Sequence, residues 1–122
     1  MEIFKSFTFE AAHHLAANTS SDHKYARLHG HSFSAEVYLT GQPTPKTGWI
    51  VDFGELDKAI AALKVELDHG YLNDLKGLEH PTLENIAIWM WSRLEIDFPT
   101  LSKIAIRRGS CGEGCIYEGP NI

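Results

Sequence analysis

Two histidines two residues apart, His29 and His31, stand where a strand-like alternation begins, running from about His31 to Thr40. On a strand, residues i and i+2 point to one face, so the two imidazoles project side by side. A third, His13, follows an earlier strand-like run from Glu2 to Ala12. Pairing of the two strands would bring it to the same spot. Three neutral imidazoles converging on a point hold zinc with a fourth position open to water or substrate. The competing reading is three unrelated loop or surface histidines, an ordinary place for this residue type. The alternation favours the trio, because it supplies a same-face pair and a partner strand within reach.

The elements that must position these residues follow from periodicity. His31 belongs to the odd-numbered set Phe33, Ala35, Val37 and Leu39, so the metal face continues inward to an apolar one. The segment 16–27 is polar, has no clean period and reads as a long loop. Loops of that length in compact domains usually carry function. Gly41 to Gly48 is a turn by composition. Asp52 then stands as an N-cap with Glu55 three residues on, a capping-box-like pair. The helix it opens runs from Phe53 to about Leu67, with Phe53, Leu56, Ile60, Leu63 and Leu67 as its apolar stripe. Gly70 is placed to cap its C-terminus. Thr82 caps a second helix with a broad apolar face of Leu83, Ile86, Ile88, Trp89, Met90 and Leu94, and Pro99 stops it. Ser102 to Arg108 alternates as a third strand, and Ile116-Tyr117 makes a short fourth. The order ββααββ predicts an α+β fold over one domain, 1–122: a four-stranded antiparallel sheet with two helices on one face.

Composition limits the function classes. A chain with 43% hydrophobic and 22% charged residues is ordinary globular protein. A formal charge of −5 speaks against a general nucleic-acid or anionic-membrane surface, although a locally basic pocket can still take a small anion. No run reaches the length of a membrane span, and Met1-Glu2-Ile3-Phe4-Lys5 does not begin like a secretory signal, so the expected location is cytoplasmic. Cys111 and Cys115, the two cysteines, flank Gly-Glu-Gly and read as a pair of thiols in a tight turn.

Six segments together resemble one family. They are Phe-Thr-Phe-Glu-Ala-Ala-His (7–13), His-Gly-His-Ser-Phe (29–33), Gly-Trp-Ile-Val-Asp-Phe (48–53), Leu-Asp-His-Gly-Tyr-Leu-Asn-Asp (67–74), Pro-Thr-Leu-Glu-Asn (81–85) and Cys-Gly-Glu-Gly-Cys-Ile-Tyr (111–117). In order and spacing they look like the 6-pyruvoyltetrahydropterin synthase family, and within it the bacterial 6-carboxytetrahydropterin synthase branch of queuosine biosynthesis. The resemblance implies a tunnelling fold, a homohexamer of two stacked trimers with sites between subunits, and a lyase reaction on 7,8-dihydroneopterin triphosphate. It also implies that His13, His29 and His31 bind Zn2+ and that Asp68 and His69 form the catalytic aspartate–histidine pair. Neighbours in sequence do not face each other on a regular element, so Asp68 orients either His69 or a histidine of another subunit.

Two positions depart from the family pattern. The family's catalytic cysteine, four residues before the first histidine of His-Gly-His, is here Tyr25, whose unperturbed pKa near 10 makes it a poor base at neutral pH. His23, two residues earlier, is a conceivable stand-in or a surface histidine. The family's pterin-anchoring glutamate falls at Arg108 or Gly109. An arginine there favours an anionic group over the ring's N–H edge, and Glu113, placed in the turn beyond, compensates only if the backbone brings it back. Two functional expectations result: a zinc-dependent 6-carboxytetrahydropterin synthase of reduced activity acting on a pterin-like small molecule, or a diverged zinc-binding paralogue with another small ligand.

Overall fold

The computed structural model describes residues 1–16 and 19–120. Five strands, β1 (Glu2–His13), β2 (His29–Thr40), β3 (Gly70–Tyr71), β4 (Leu101–Arg108) and β5 (Glu113–Tyr117), form one sheet in the order β3-β1-β2-β4-β5. Helices α1 (Phe53–Leu67) and α2 (Leu83–Leu94) cover the face from which the odd-numbered residues of β1 and β2 project. The fold is α+β as expected, but the sheet has five strands and the order is ββαβαββ. The additional strand, β3, pairs parallel with β1 at Ala11 and Ala12. Two residues are too few for a period of two to register in sequence, and they lie in a segment whose composition reads as a helix end. Their effect is local: they fasten the chain after α1 to the last turn of β1.

β1 and β2 pair antiparallel without a slip from Glu2↔Thr40 to His13↔His29. β2 therefore begins at His29, two residues before the alternation suggested. Phe9, Phe33, Ala35, Val37 and Leu39 are buried on the helix side. The Phe9 and Phe33 rings stack at 4.9 Å and 8°, an arrangement worth about 0.5–1.5 kcal/mol beyond the buried area. That stack is the apolar floor beneath the histidine end of the sheet.

Both helices start at the expected caps. The Asp52 carboxylate accepts from Gly54 N–H at 2.8 Å, while Glu55 pairs with Lys58 instead of closing a capping box. Thr82 accepts from Asn85 N–H at 3.2 Å. Leu56, Ile60, Leu63 and Leu67 are buried, whereas Phe53 in the first turn is exposed beneath the Lys5 ammonium. Ile88 is exposed as well, because about 100° per residue carries it round to the side opposite Ile86. The end of α1 also differs from expectation. His69, at φ 56°, takes the left-handed conformation foreseen for Gly70. Gly70 is needed for another reason: a Cβ there would sit 3.0 Å from Glu66 O and 3.1 Å from Leu67 O.

Candidate metal centre

The strand register assembles the trio. His13 lies directly opposite His29, and His31 is opposite Ala11, so all three imidazoles share the helix-facing side at one end of the sheet. Their ring centroids are 4.6, 5.1 and 4.8 Å apart, all edge-on. Each offers one nitrogen to a common point, and these atoms lie within 4.8 Å of one another.

The opposite ring nitrogens fix the tautomers. His13 Nδ1 is 2.9 Å from Pro81 O, and His29 Nδ1 is 2.7 Å from Arg27 O. A carbonyl only accepts, so each Nδ1 carries the proton and donates, leaving the Nε2 lone pair free. This is the outer support that orients metal-binding histidines. His31 Nδ1 lies 3.9 Å from Cys111 Sγ. All three Nε2 atoms are buried without a hydrogen-bond partner, an arrangement that costs stability unless something occupies the point they share. Burial pushes His13 down to about 4, with the neighbouring His29, His31 and Arg108 charges adding to the effect and the Pro81 hydrogen bond opposing it. Burial, then Arg108, lowers His31 too. Neutral imidazoles with converging lone pairs suit a divalent cation, and zinc fits this donor set.

Asp68 and His69 meet each other in this chain. Because His69 is left-handed rather than on a regular element, its Nδ1 turns back to Asp68 Oδ2 at 3.0 Å. Asp68 Oδ1 accepts from Glu10 N–H at 2.8 Å, and His69 N–H donates to Glu10 O at 2.6 Å. The pair is thus fastened to β1 three residues before His13. The Glu10 N–H, then His69, holds the Asp68 carboxyl below its ordinary range. A surface cavity of about 500 Å³ is lined by His31 and His69 together with Glu10, Ser32 and Ser110. One trio member, His31, and His69 of the pair therefore open onto the same space.

Tyr25 stacks on His29 at 5.4 Å and 27°. It is held there by Leu15 N–H donating to its carbonyl at 2.7 Å. His23 is the cap of the short 3-10 turn at Lys24–Ala26, its Nδ1 accepting from Tyr25 N–H at 3.1 Å. Glu113 is not in the turn, as the sequence suggested, but opens β5 directly opposite Arg108. Its Oε1 lies 2.8 Å from Arg108 Nη2. A Cβ on Gly109 would meet nothing within 4 Å, so that position presents open space. Both cysteines are free; Cys115 packs against the core, and burial raises its thiol pKa. Sequence reasoning missed Pro81 O and Arg27 O, because a backbone acceptor has no residue-type signature. It also missed the approach of Cys111 to His31, which depends on the left-handed Gly112 that ends the turn.

Comparison with known proteins gives the fold and site a context. The chain is 39% identical over 126 residues to a 6-carboxy-5,6,7,8-tetrahydropterin synthase of Synechocystis, covering 98% of this chain and 95% of the relative. It is 36% identical over 107 residues to a dihydroneopterin monophosphate aldolase of Pyrococcus furiosus, covering 88% and 84%. The solved Caenorhabditis elegans 6-pyruvoyl tetrahydropterin synthase superposes with a TM-score of 0.88 at 26% identity, over 98% of this chain and 96% of that one. The family model described as 6-pyruvoyl tetrahydropterin synthase matches residues 2–120, and this chain belongs to that family.

Proposed function

We propose that the chain is a zinc-dependent lyase of the 6-carboxytetrahydropterin synthase type, acting on 7,8-dihydroneopterin triphosphate in a cytoplasmic 7-deazapurine (queuosine) pathway. The observation that carries this reading is the convergence of three unpartnered histidine Nε2 atoms beside a cavity that His31 and His69 both line. His13, His29 and His31 would hold the cation. Once bound, it supplies a Lewis acid that acidifies a side-chain hydroxyl and stabilises enolate-like charge. The chain's own groups do the rest. Asp68 keeps the His69 ring oriented, with Nδ1 toward the carboxylate and Nε2 free to take or return a proton. Glu10 fixes that dyad through its backbone, and Tyr25 covers the outer face of His29. A homohexamer with sites between subunits belongs to the same proposal, by resemblance to the family.

A second reading, a diverged paralogue that has lost the parent reaction, is favoured by two positions. Tyr25 stands where the family has its cysteine, and its ring stacks on His29. The ring-anchoring position falls to Arg108, which is paired with Glu113, or to Gly109, which has no side chain. The Pyrococcus relative named as an aldolase adds support for a change of reaction on this scaffold.

The test is incubation of zinc-loaded protein with dihydroneopterin triphosphate, following acetaldehyde and the carboxypterin product. Turnover that disappears in His69→Ala supports the enzyme. No turnover in the unmodified protein, with no pterin binding by calorimetry, leaves the paralogue.

A further inference from the structure

Among the described residues, five buried side-chain nitrogens have no hydrogen-bond partner: the three histidine Nε2 atoms, and Nε and Nη1 of Arg108. They gather in one region. Arg107 is opposite Ser34, so Arg108, one step further along β4, is level with Phe33 and on the helix-facing side. The Phe33 ring is 5.6 Å from His31 and 5.8 Å from His13. The guanidinium acts on both histidines, lowering the pKa of each. Its side chain is only 10% exposed, and Glu113 engages Nη2 alone.

A cation accounts for the three Nε2 lone pairs and leaves two buried guanidinium N–H groups unmet. Arginine has donors only, so these groups cannot receive the N–H edge of a ring. They require an acceptor, and beside a divalent cation the acceptor that satisfies both charges is an oxyanion. We propose that Arg108 is the oxyanion-binding residue of this centre. Through one of its free groups, Nε or Nη1, it holds a phosphate or carboxylate on the same small molecule whose hydroxyl or keto oxygen goes to the metal, and Glu113 keeps the guanidinium turned for that contact. This deepens the proposed function and rests on it for the metal alone: Arg108 reads the charged end of the substrate, not its ring.

The experiment is a titration of cobalt(II)-loaded protein with inorganic phosphate and, separately, with glycolate, reading the visible absorption bands of the metal. Calorimetry with the same anions on metal-free protein runs in parallel. At least one anion is expected to saturate the spectral change, and which of the two is tighter identifies the group. Arg108→Gln should weaken half-saturation about tenfold or more, the loss of a charge-assisted contact. Arg108→Lys, which keeps the charge without the planar guanidinium, should fall between, and Glu113→Gln, whose amide oxygen can still accept from Nη2, should retain binding. The lysine variant carries the test if Arg108→Gln does not fold. Failure of both anions to bind overturns the proposal, as does half-saturation unchanged in the folded Arg108 variants. Anion binding without pterin turnover would remove only the catalytic reading. Turnover indifferent to Arg108→Gln would remove only this one.

Discussion

Burial of His13 makes the metal-free protein acid-sensitive in a calculable way. The side chain is fully buried, and its pKa falls from 6.5 to about 4. Above pH 6.5 both the folded and unfolded forms carry a neutral imidazole, so the group contributes nothing to pH dependence. As the pH drops from 6.5 toward 4, the unfolded chain takes up a proton that the folded chain refuses, and folding is disfavoured. At about 1.4 kcal/mol per unit, the whole interval corresponds to a loss of about 3.5 kcal/mol. That is a large share of the roughly 5–15 kcal/mol available to a domain of ordinary stability. The assay is urea unfolding of chelator-treated protein at pH 7 and pH 4.5, comparing the parent with His13→Asn. His31 and Asp68 contribute acid sensitivity of their own, so the informative quantity is the difference between the two pH slopes. The parent should lose about 2.5 kcal/mol more than the variant across this range, a midpoint change of about 1–2.5 M at usual urea dependence. Equal slopes in parent and variant would refute the account of His13 as a buried, neutral, uncompensated ring.

Other outcomes follow from the same geometry. Chelation should lower the melting temperature and zinc should restore it, with about 2.7 kcal/mol of stabilisation at a free concentration a hundred times Kd; His29→Ala should abolish that response. Asp68→Asn should reduce turnover at least about tenfold by releasing His69 while still accepting from Glu10 N–H. The Asp68 carboxyl is held below 3.8 when folded, so it stabilises the protein above that value and loses this contribution as acid protonates it. The variant's acid limb below about pH 4 should accordingly be flatter by urea unfolding. Gly109→Glu should change stability by less than about 0.5 kcal/mol, whereas Gly114→Ala should cost about 1–3 kcal/mol. A Cβ at Gly114 would lie 2.9 Å from Ile106 O and 3.0 Å from Arg107 Cγ. Similar denaturation midpoints for the two variants would contradict this.

The legible parts of the site were those set by a strong local period. His29 and His31 share parity with Phe33 to Leu39, and that parity alone places them on the buried face. The caps Asp52 and Thr82 were equally readable, since their side chains act within three residues. What could not be read depends on contacts distant in sequence or on a single backbone angle. Glu10 meets Asp68 across 58 positions. The left-handed His69 makes neighbours face each other where a regular element would separate them. The pairing of Arg108 with Glu113 depends on where β5 begins, and the Gly-Glu-Gly segment reads as turn until Gly112 is seen to complete the reversal.

The His13–His29 pair stands where β1 finishes and β2 starts. A cation gripped there would act as a clasp at the mouth of the long connection 14–28. A cross-link closing about 15 residues restricts the unfolded chain by an amount comparable to about 3 kcal/mol for a disulfide. The same clasp sets the reading frame of the ladder, since sliding one strand by a single residue would swing a histidine to the opposite side of the sheet. Assembly of the reactive centre and correct alignment of these two strands are then a single event, and a misaligned hairpin would be unable to retain its metal.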